Sequence, residues 1–182
     1  MAEAAIRTGP LDGRHAGTAL VSALPAPPSF RLNLRARPDA VPVLETALGL
    51  ALPHDAMTST TEGARSALWL GPDEWLVLDG EADPSVDLAG VDGLYSAVDI
   101  SHRNTAILVV GPRAQDALEN GCPRDLSLAA FPVGACARTI LGKAEVVIWR
   151  GKEDAFRVEC WRSFSPYVMD FLDAATRDAS LD

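Results

Sequence analysis

Residues 98–126, VDISHRNTAILVVGPRAQDALENGCPRDL, constrain the fold more than any other stretch of the chain. Residues 105–110 are a β-branched and aliphatic run of strand length. Gly111-Pro112 interrupts it. Pro112 suits the first turn of a following helix, where its missing N–H costs nothing. Ala114, Ala117 and Leu118 share one face of that helix, and Gly121 is expected to end it with a positive φ. A strand that feeds a helix through one tight turn is a building unit of a core made from sheets and helices.

The flanking segments extend this picture. Phe30, Leu32 and Leu34 alternate with Arg31, Asn33 and Arg35, the period of a strand with one polar face. A helix follows, with Asp39 as its expected cap, Val41, Leu44 and Leu48 on its apolar face and Gly49 at its end. Residues 53–63 are polar and read as a loop. Residues 67–70 and 75–78 are apolar runs joined by Gly71-Pro72-Asp73-Glu74, a type I turn signature, and so form a hairpin. Pro84, Val86 and Leu88 allow a short helix in the acidic segment that follows.

Beyond residue 126, three strands at 136–141, 144–149 and 156–161 are separated by Gly142-Lys143 and Gly151-Lys152-Glu153-Asp154, the pattern of an antiparallel meander. The last helix starts at Ser165-Pro166, buries Val168, Phe171, Leu172 and Ala175, and lets Phe164 staple onto Met169. Residues 1–28, with Pro25, Pro27 and Pro28, read as an irregular arm in which Ala19-Leu20-Val21 can make a short strand. Strands and helices occur in runs without strict alternation. The fold class is therefore α+β: antiparallel sheets with helices packed on one face, in one domain or two small intertwined ones.

Charge excludes several partners. The formal net charge is −9 and the pI about 4.7, and no basic stripe is available for a phosphate backbone or an anionic membrane. No apolar run reaches the roughly 18 residues of a membrane span, and the N-terminus lacks the basic-then-apolar order of a signal peptide. Three cysteines without C-x-x-C spacing imply reduced thiols in a cytoplasmic protein. His15, His54 and His102 have no metal-ligand spacing, so no metal site is expected.

The chemistry-bearing motifs are few. Asp99, Ser101 and His102 hold the residue types of a hydrolytic triad, but neighbours on a strand point to opposite faces, so a turn in which Asp and Ser bond the backbone accounts for them better. Gly111-Pro112-Arg113 at a helix start lacks a nucleotide-binding fingerprint and reads as a plain cap. Trp69, Trp75, Trp149 and Trp161 are expected to pack a core or an interface, and Cys122 has no neighbouring base.

Taken in order, ALWLGPDEWLVL (67–78), DISHRNTAILVVGP (99–112), ALENGCPRDL (117–126), FPVGACARTIL (131–141) and WRSF (161–164) resemble the gamma subunit of heterotetrameric sarcosine oxidase, from about Phe30 to Ala175. The resemblance implies a fold like the folate-binding aminomethyltransferase, or glycine-cleavage T-protein, family. It places a gamma-like domain at 29–177, with 1–28 as the arm and 178–182 as a tail. It implies a non-catalytic role beside alpha, beta and delta subunits in a complex that demethylates sarcosine to glycine, with hydrogen peroxide and formaldehyde or methylene-tetrahydrofolate as products. FAD, FMN, NAD, tetrahydrofolate and zinc are implied in the other subunits, and no catalytic, cofactor-binding or metal-binding residue is carried onto this chain. The aromatic and Arg cluster of Trp161, Arg162, Phe164 and Tyr167 is the expected partner interface. The alternative is a stand-alone folate-binding protein, with Asp99 or Glu74 gripping the pterin.

Overall fold

The computed structural model describes residues 9–181, and the expectations for residues 1–8 and Asp182 lie outside them. Among the described residues the chain runs β1 (Ala16–Gly17), β2 (Ser22–Pro25), β3 (Phe30–Ala36), α1 (Val41–Leu48), β4 (Ser59–Glu62), β5 (Arg65–Gly71), β6 (Glu74–Asp79) and α2 (Pro84–Asp87). It continues through β7 (Tyr95–Asp99), β8 (Asn104–Val110), α3 (Ala114–Glu119), β9 (Cys136–Leu141), β10 (Ala144–Lys152), β11 (Ala155–Trp161) and α4 (Ser165–Asp178).

Two antiparallel sheets result. One has six strands in the order β1-β2-β8-β11-β10-β9, and the other five in the order β4-β5-β6-β3-β7. The first described strands, β1 and β2, belong to the larger sheet; the chain then crosses to build the whole of the smaller one, and returns. Each sheet is amphipathic in the sense that its two faces meet different layers. Ile107, Val109, Ile148, Phe156 and Val158 meet Leu118 of α3 and Val168 and Leu172 of α4 in the larger core. Leu32, Leu34 and Val77 meet Val41, Leu44 and Leu48 of α1 in the second core. Between the sheets lies a third cluster built on Leu68, Leu76, Leu78, Cys136 and Val147. The layers are thus helix, sheet, sheet, helix.

The hairpin is formed as expected, with Leu68 opposite Leu76 and Trp69 opposite Trp75. The meander is also formed: Val147 lies opposite both Arg138 of β9 and Glu159 of β11. Several expectations need correction. The arm is not irregular between residues 16 and 25, because β2 pairs with β8, placing Ser22 opposite Val110 and Pro25 opposite Ile107. Ala26 N–H donates to Ala106 O, so the nitrogen of Pro25 faces away from β8, where no ladder bond is lost. Ala19 and Leu20 lie in the bend between the two strands rather than in one. The polar segment at 53–63 contains β4, whose Thr60 and Thr61 pair with Ala67 and Ser66; β-branched threonines suit an edge strand with a wet face.

Both expected side-chain caps are absent. Ala40, not Asp39, occupies the cap of α1, and Phe164 occupies that of α4, neither with a side-chain bond. Ser165 Oγ turns back to donate to Arg162 O, and Phe164 lies against Trp161, with ring centroids 5.7 Å apart. Gly121 does not have a positive φ. It is needed for space: a Cβ there would fall 2.3 Å from Phe171 Cζ and 3.0 Å from Gly142 N. At the other end of the same unit Gly111 does carry φ +132°, and a Cβ there would meet Leu20 O at 2.4 Å. The expected tail also begins too early, since α4 runs to Asp178 and Ala179 is buried in the larger core.

Candidate partner-binding surface

The polar face of β3 does not meet water at its start. Arg31 Nε donates to Glu159 Oε2 at 2.7 Å, and Arg157 Nε to Glu159 Oε1 at 2.8 Å. Ser29 completes the group, accepting from Arg31 Nη1 on its carbonyl and from Arg157 Nη2 on its hydroxyl, both at 2.8 Å. A carboxylate held between two guanidiniums thus fastens one sheet to the other.

Asp99, Ser101 and His102 do not assemble a triad. Ser101 N–H donates to Asp99 Oδ1 at 2.8 Å, and Ser101 Oγ accepts from Arg31 N–H at 2.9 Å. The bonds from the Ser101 hydroxyl and amide hold the Asp99 carboxyl below the usual carboxylate range. His102 is exposed, and among the described residues no hydrogen bond joins it to Ser101. The cluster ties the turn after β7 to β3.

The other carboxylate of interest is also committed. Burial alone raises Glu74, but bonds from Arg138 Nη2 at 2.6 Å and Asn33 Nδ2 at 2.9 Å outweigh it and hold the carboxyl below its ordinary value. At Gly111-Pro112-Arg113 the backbone donors are used internally: Gly111 N–H on Asp154 O, Arg113 N–H on Leu20 O and Ala114 N–H on Gly111 O. Cys122, Cys136 and Cys160 are free and buried. Burial pushes the Cys136 and Cys160 thiols up to about 12, so they stay protonated at neutral pH. Among the described residues no group of three or more His, Cys, Asp or Glu is placed to hold a metal ion.

Three of the four tryptophans pack inward. Trp75 Nε1 donates to Pro53 O from a buried site, Trp149 Nε1 donates to Ser59 Oγ at 3.0 Å, and Trp69 packs against the cluster between the sheets. Trp161, at the end of β11, is the exception. It is 37% exposed, stacks on the 43% exposed Phe164, and carries the Arg103 guanidinium 4.1 Å from its ring centroid. Tyr167, 39% exposed, sits in the first turn of α4, where its hydroxyl accepts Lys143 N–H at 3.0 Å. The structure thus joins Trp161 and Phe164 in one aromatic patch and leaves Tyr167 at the β9–β10 turn. Arg162 turns to a different recess, shared with Asp99 and His102.

Beside this patch the sheets part. A cleft of about 440 Å³ lies between them, lined by Asn33, Glu74, Arg103, Arg138, Glu145 and Trp161 among others. Neither the cleft nor the Arg31–Glu159–Arg157 group is marked by local sequence, because both depend on which faces the two sheets turn to each other. Arg31 carries the one available signal, an arginine at a strand position whose neighbours are core.

Comparison with known proteins agrees with this architecture. The sequence profile of the sarcosine oxidase, gamma subunit family matches residues 35–178. The sarcosine oxidase subunit gamma of Corynebacterium sp. (strain P-1) is 32% identical over 143 residues, covering 75% of this chain and 70% of that protein. The subunit of the same name from Corynebacterium sp. (strain U-96) is 31% identical over 156 residues, covering 82% and 76%. A chain of the heterotetrameric sarcosine oxidase from Corynebacterium sp. U-96, in complex with pyrrole 2-carboxylate, superposes with a TM-score of 0.87 at 26% identity over 97% of both chains. The glycine cleavage system aminomethyltransferase T from Bartonella henselae shares the fold, with a TM-score of 0.59 at 15% identity over 86% of this chain and 48% of that one. With the profile match spanning most of the chain and relatives above 30% identity, this chain belongs to the sarcosine oxidase, gamma subunit family.

Proposed function

We propose that this chain is the gamma subunit of a heterotetrameric sarcosine oxidase and that it supplies shape and contact area rather than reacting groups. The observation that carries the reading is the match over nearly the whole chain to a chain of such a heterotetramer, together with family membership. The side-chain chemistry supports it. Asp99, Ser101 and Glu74 are engaged with their neighbours, and the buried thiols are protonated, so the residues nearest to a catalytic set already have structural work.

In this reading the oxidative demethylation of sarcosine, and the FAD, FMN, NAD, tetrahydrofolate and zinc it draws on, reside in the alpha, beta and delta subunits, and the assembly is cytoplasmic. Among the described residues no helix is long and apolar enough to cross a membrane. Trp161 and Phe164 form the centre of the contact region, with Tyr167 and Arg162 as flanking contacts, an exposed aromatic and arginine composition of the kind that dominates binding energy at interfaces. The gamma-like unit of this proposal is residues 29–177, against which β2 and Ala179 also pack.

The test is co-expression with the other three subunits. A tag on this chain retrieves alpha, beta and delta together with sarcosine-dependent peroxide formation, whereas the chain alone turns over no sarcosine. Turnover, or tight binding of a reduced folate, by the chain alone overturns the proposal.

A further inference from the structure

Face-to-face sheets bury the side chains that point between them. Here the rule holds at Leu68, Leu76 and Val147, and at the ion group around Glu159. It fails at one end. Val98 of β7 is 50% exposed although it lines the space between the sheets. Ile140 is 48% exposed although it shares the face of Arg138, two residues back along β9, which lines the same space. Trp161, two residues on from Glu159 and on the same face, is the third. The sandwich is therefore open at this end, as a wedge with apolar lips.

The wedge has a polar requirement as well. Arg138 is paired with Glu74. Arg103 is held over the Trp161 ring, yet among the described residues no carboxylate lies within ion-pair distance of it. Glu145, opposite Ile140 on the larger sheet, is exposed at the same cleft. One further feature is an open edge: among the described residues β7 ends the smaller sheet, so its outer backbone N–H and C=O groups have no strand partner there.

We infer that the wedge between Val98, Ile140 and Trp161 receives an extended segment of another chain of the oxidase, one that places apolar side chains between the lips and a carboxylate on Arg103. This rests on the assembly reading above and adds to it the groove and the kind of segment that fills it. An extended segment fits because it alone satisfies the free edge of β7 while its alternate side chains enter the cleft. The carboxylate follows from charge complementarity with Arg103 at an apolar rim, where desolvation strengthens the pair. The wedge is also continuous with the Trp161–Phe164 patch.

The experiment uses the co-expressed complex. Val98→Asp/Ile140→Asp places two charges at exposed lip positions, so the free full-length chain keeps its unfolding midpoint while its association with the other subunits weakens by more than roughly tenfold. Arg103→Glu weakens association by about tenfold, a loss that fades at high salt, and Arg103→Lys restores most of it. If the wild-type chain does not assemble at all, the assembly reading fails. If the wild type assembles and the lip variants assemble as tightly, the wedge proposal alone is overturned. It is overturned equally if the free chain forms a dimer that the lip substitutions abolish while hetero-assembly persists, since the occupant is then a second copy.

Discussion

Arg31 of the smaller sheet and Glu159 of the larger are joined by an ion pair of 2.7 Å in which the two side chains are 5% and 1% exposed. The pair crosses the boundary between the sheets, so it acts as a register pin as well as a source of attraction. Glu159 also holds Arg157, so its removal leaves two guanidiniums facing each other without their anion. Breaking a buried pair on one side is far more damaging than replacing both partners.

Glu159→Ala is accordingly expected to destabilise the chain by about 3–5 kcal/mol. A double replacement, Arg31→Met with Glu159→Leu, recovers part of that loss, because only Arg157 of the two guanidiniums is then left without its anion. Urea unfolding of the two variants checks this. Equal losses for the single and double variants would show that the pair is not what holds the sheets.

Gly121 makes a second, steric link. Its missing Cβ is the space into which the Phe171 ring edge fits, beside the backbone of Gly142. Gly121→Ala should cost about 1–3 kcal/mol, the usual scale of an overpacked core. Phe171→Leu, which withdraws the ring edge, should make the Gly121→Ala substitution cheaper. A double-mutant cycle in thermal unfolding reads the coupling directly.

Gly121 also shows where local reading stops. Its place after a short helix predicts a left-handed cap, and only Phe171, distant in sequence, reveals that the constraint is space. The strands β3, β5, β6, β8 and the β9–β11 meander were legible because their apolar periods are bounded by Gly and Pro turns. By contrast β2 and β4 were hidden, the first by Pro25, whose nitrogen faces away from β8, and the prolines that follow it, the second by threonines that resemble a loop in polarity. The aromatic cluster at 161–167 was visible as composition, yet its geometry was not: Trp161 and Phe164 stack together, while Arg162 turns to another recess. The cleft depends on how one sheet lies on the other, and no short stretch of sequence records that.

Acid stability should report on Asp79. Burial raises its carboxyl, but the amides of Ala82 and Glu81 and the Arg65 guanidinium outweigh this and hold it below the ordinary value. The folded chain therefore releases this proton more readily than the unfolded chain. The stabilisation is fully present above the unfolded carboxyl value of about 4 and is lost as the pH falls through the lower folded value. Asp79→Asn should cost about 1–3 kcal/mol at neutral pH, by loss of charged hydrogen bonds. Its disadvantage should shrink below about pH 4, and a difference that stays constant from pH 7 to pH 3 would contradict the assignment.

The thiols supply the opposite sign. Burial pushes Cys136 and Cys160 up to about 12, with the Glu159 charge adding to the rise at Cys160. Their neutral form is favoured by folding, so this contribution is complete below the unfolded thiol value of about 8.5 and is lost as the pH rises toward the folded value. The native chain is expected to lose stability between about pH 9 and 11, and Cys136→Ala/Cys160→Ala should flatten that slope. Both thiols should also resist a thiol-specific reagent at pH 7.5 until the chain is unfolded, since the reactive species is the thiolate. Rapid labelling of Cys136 in the native chain, counted by mass spectrometry of the modified peptides, would show that the boundary between the sheets opens far more often than its packing and its central ion pair permit, and rapid labelling of Cys160 would show the same of the larger core.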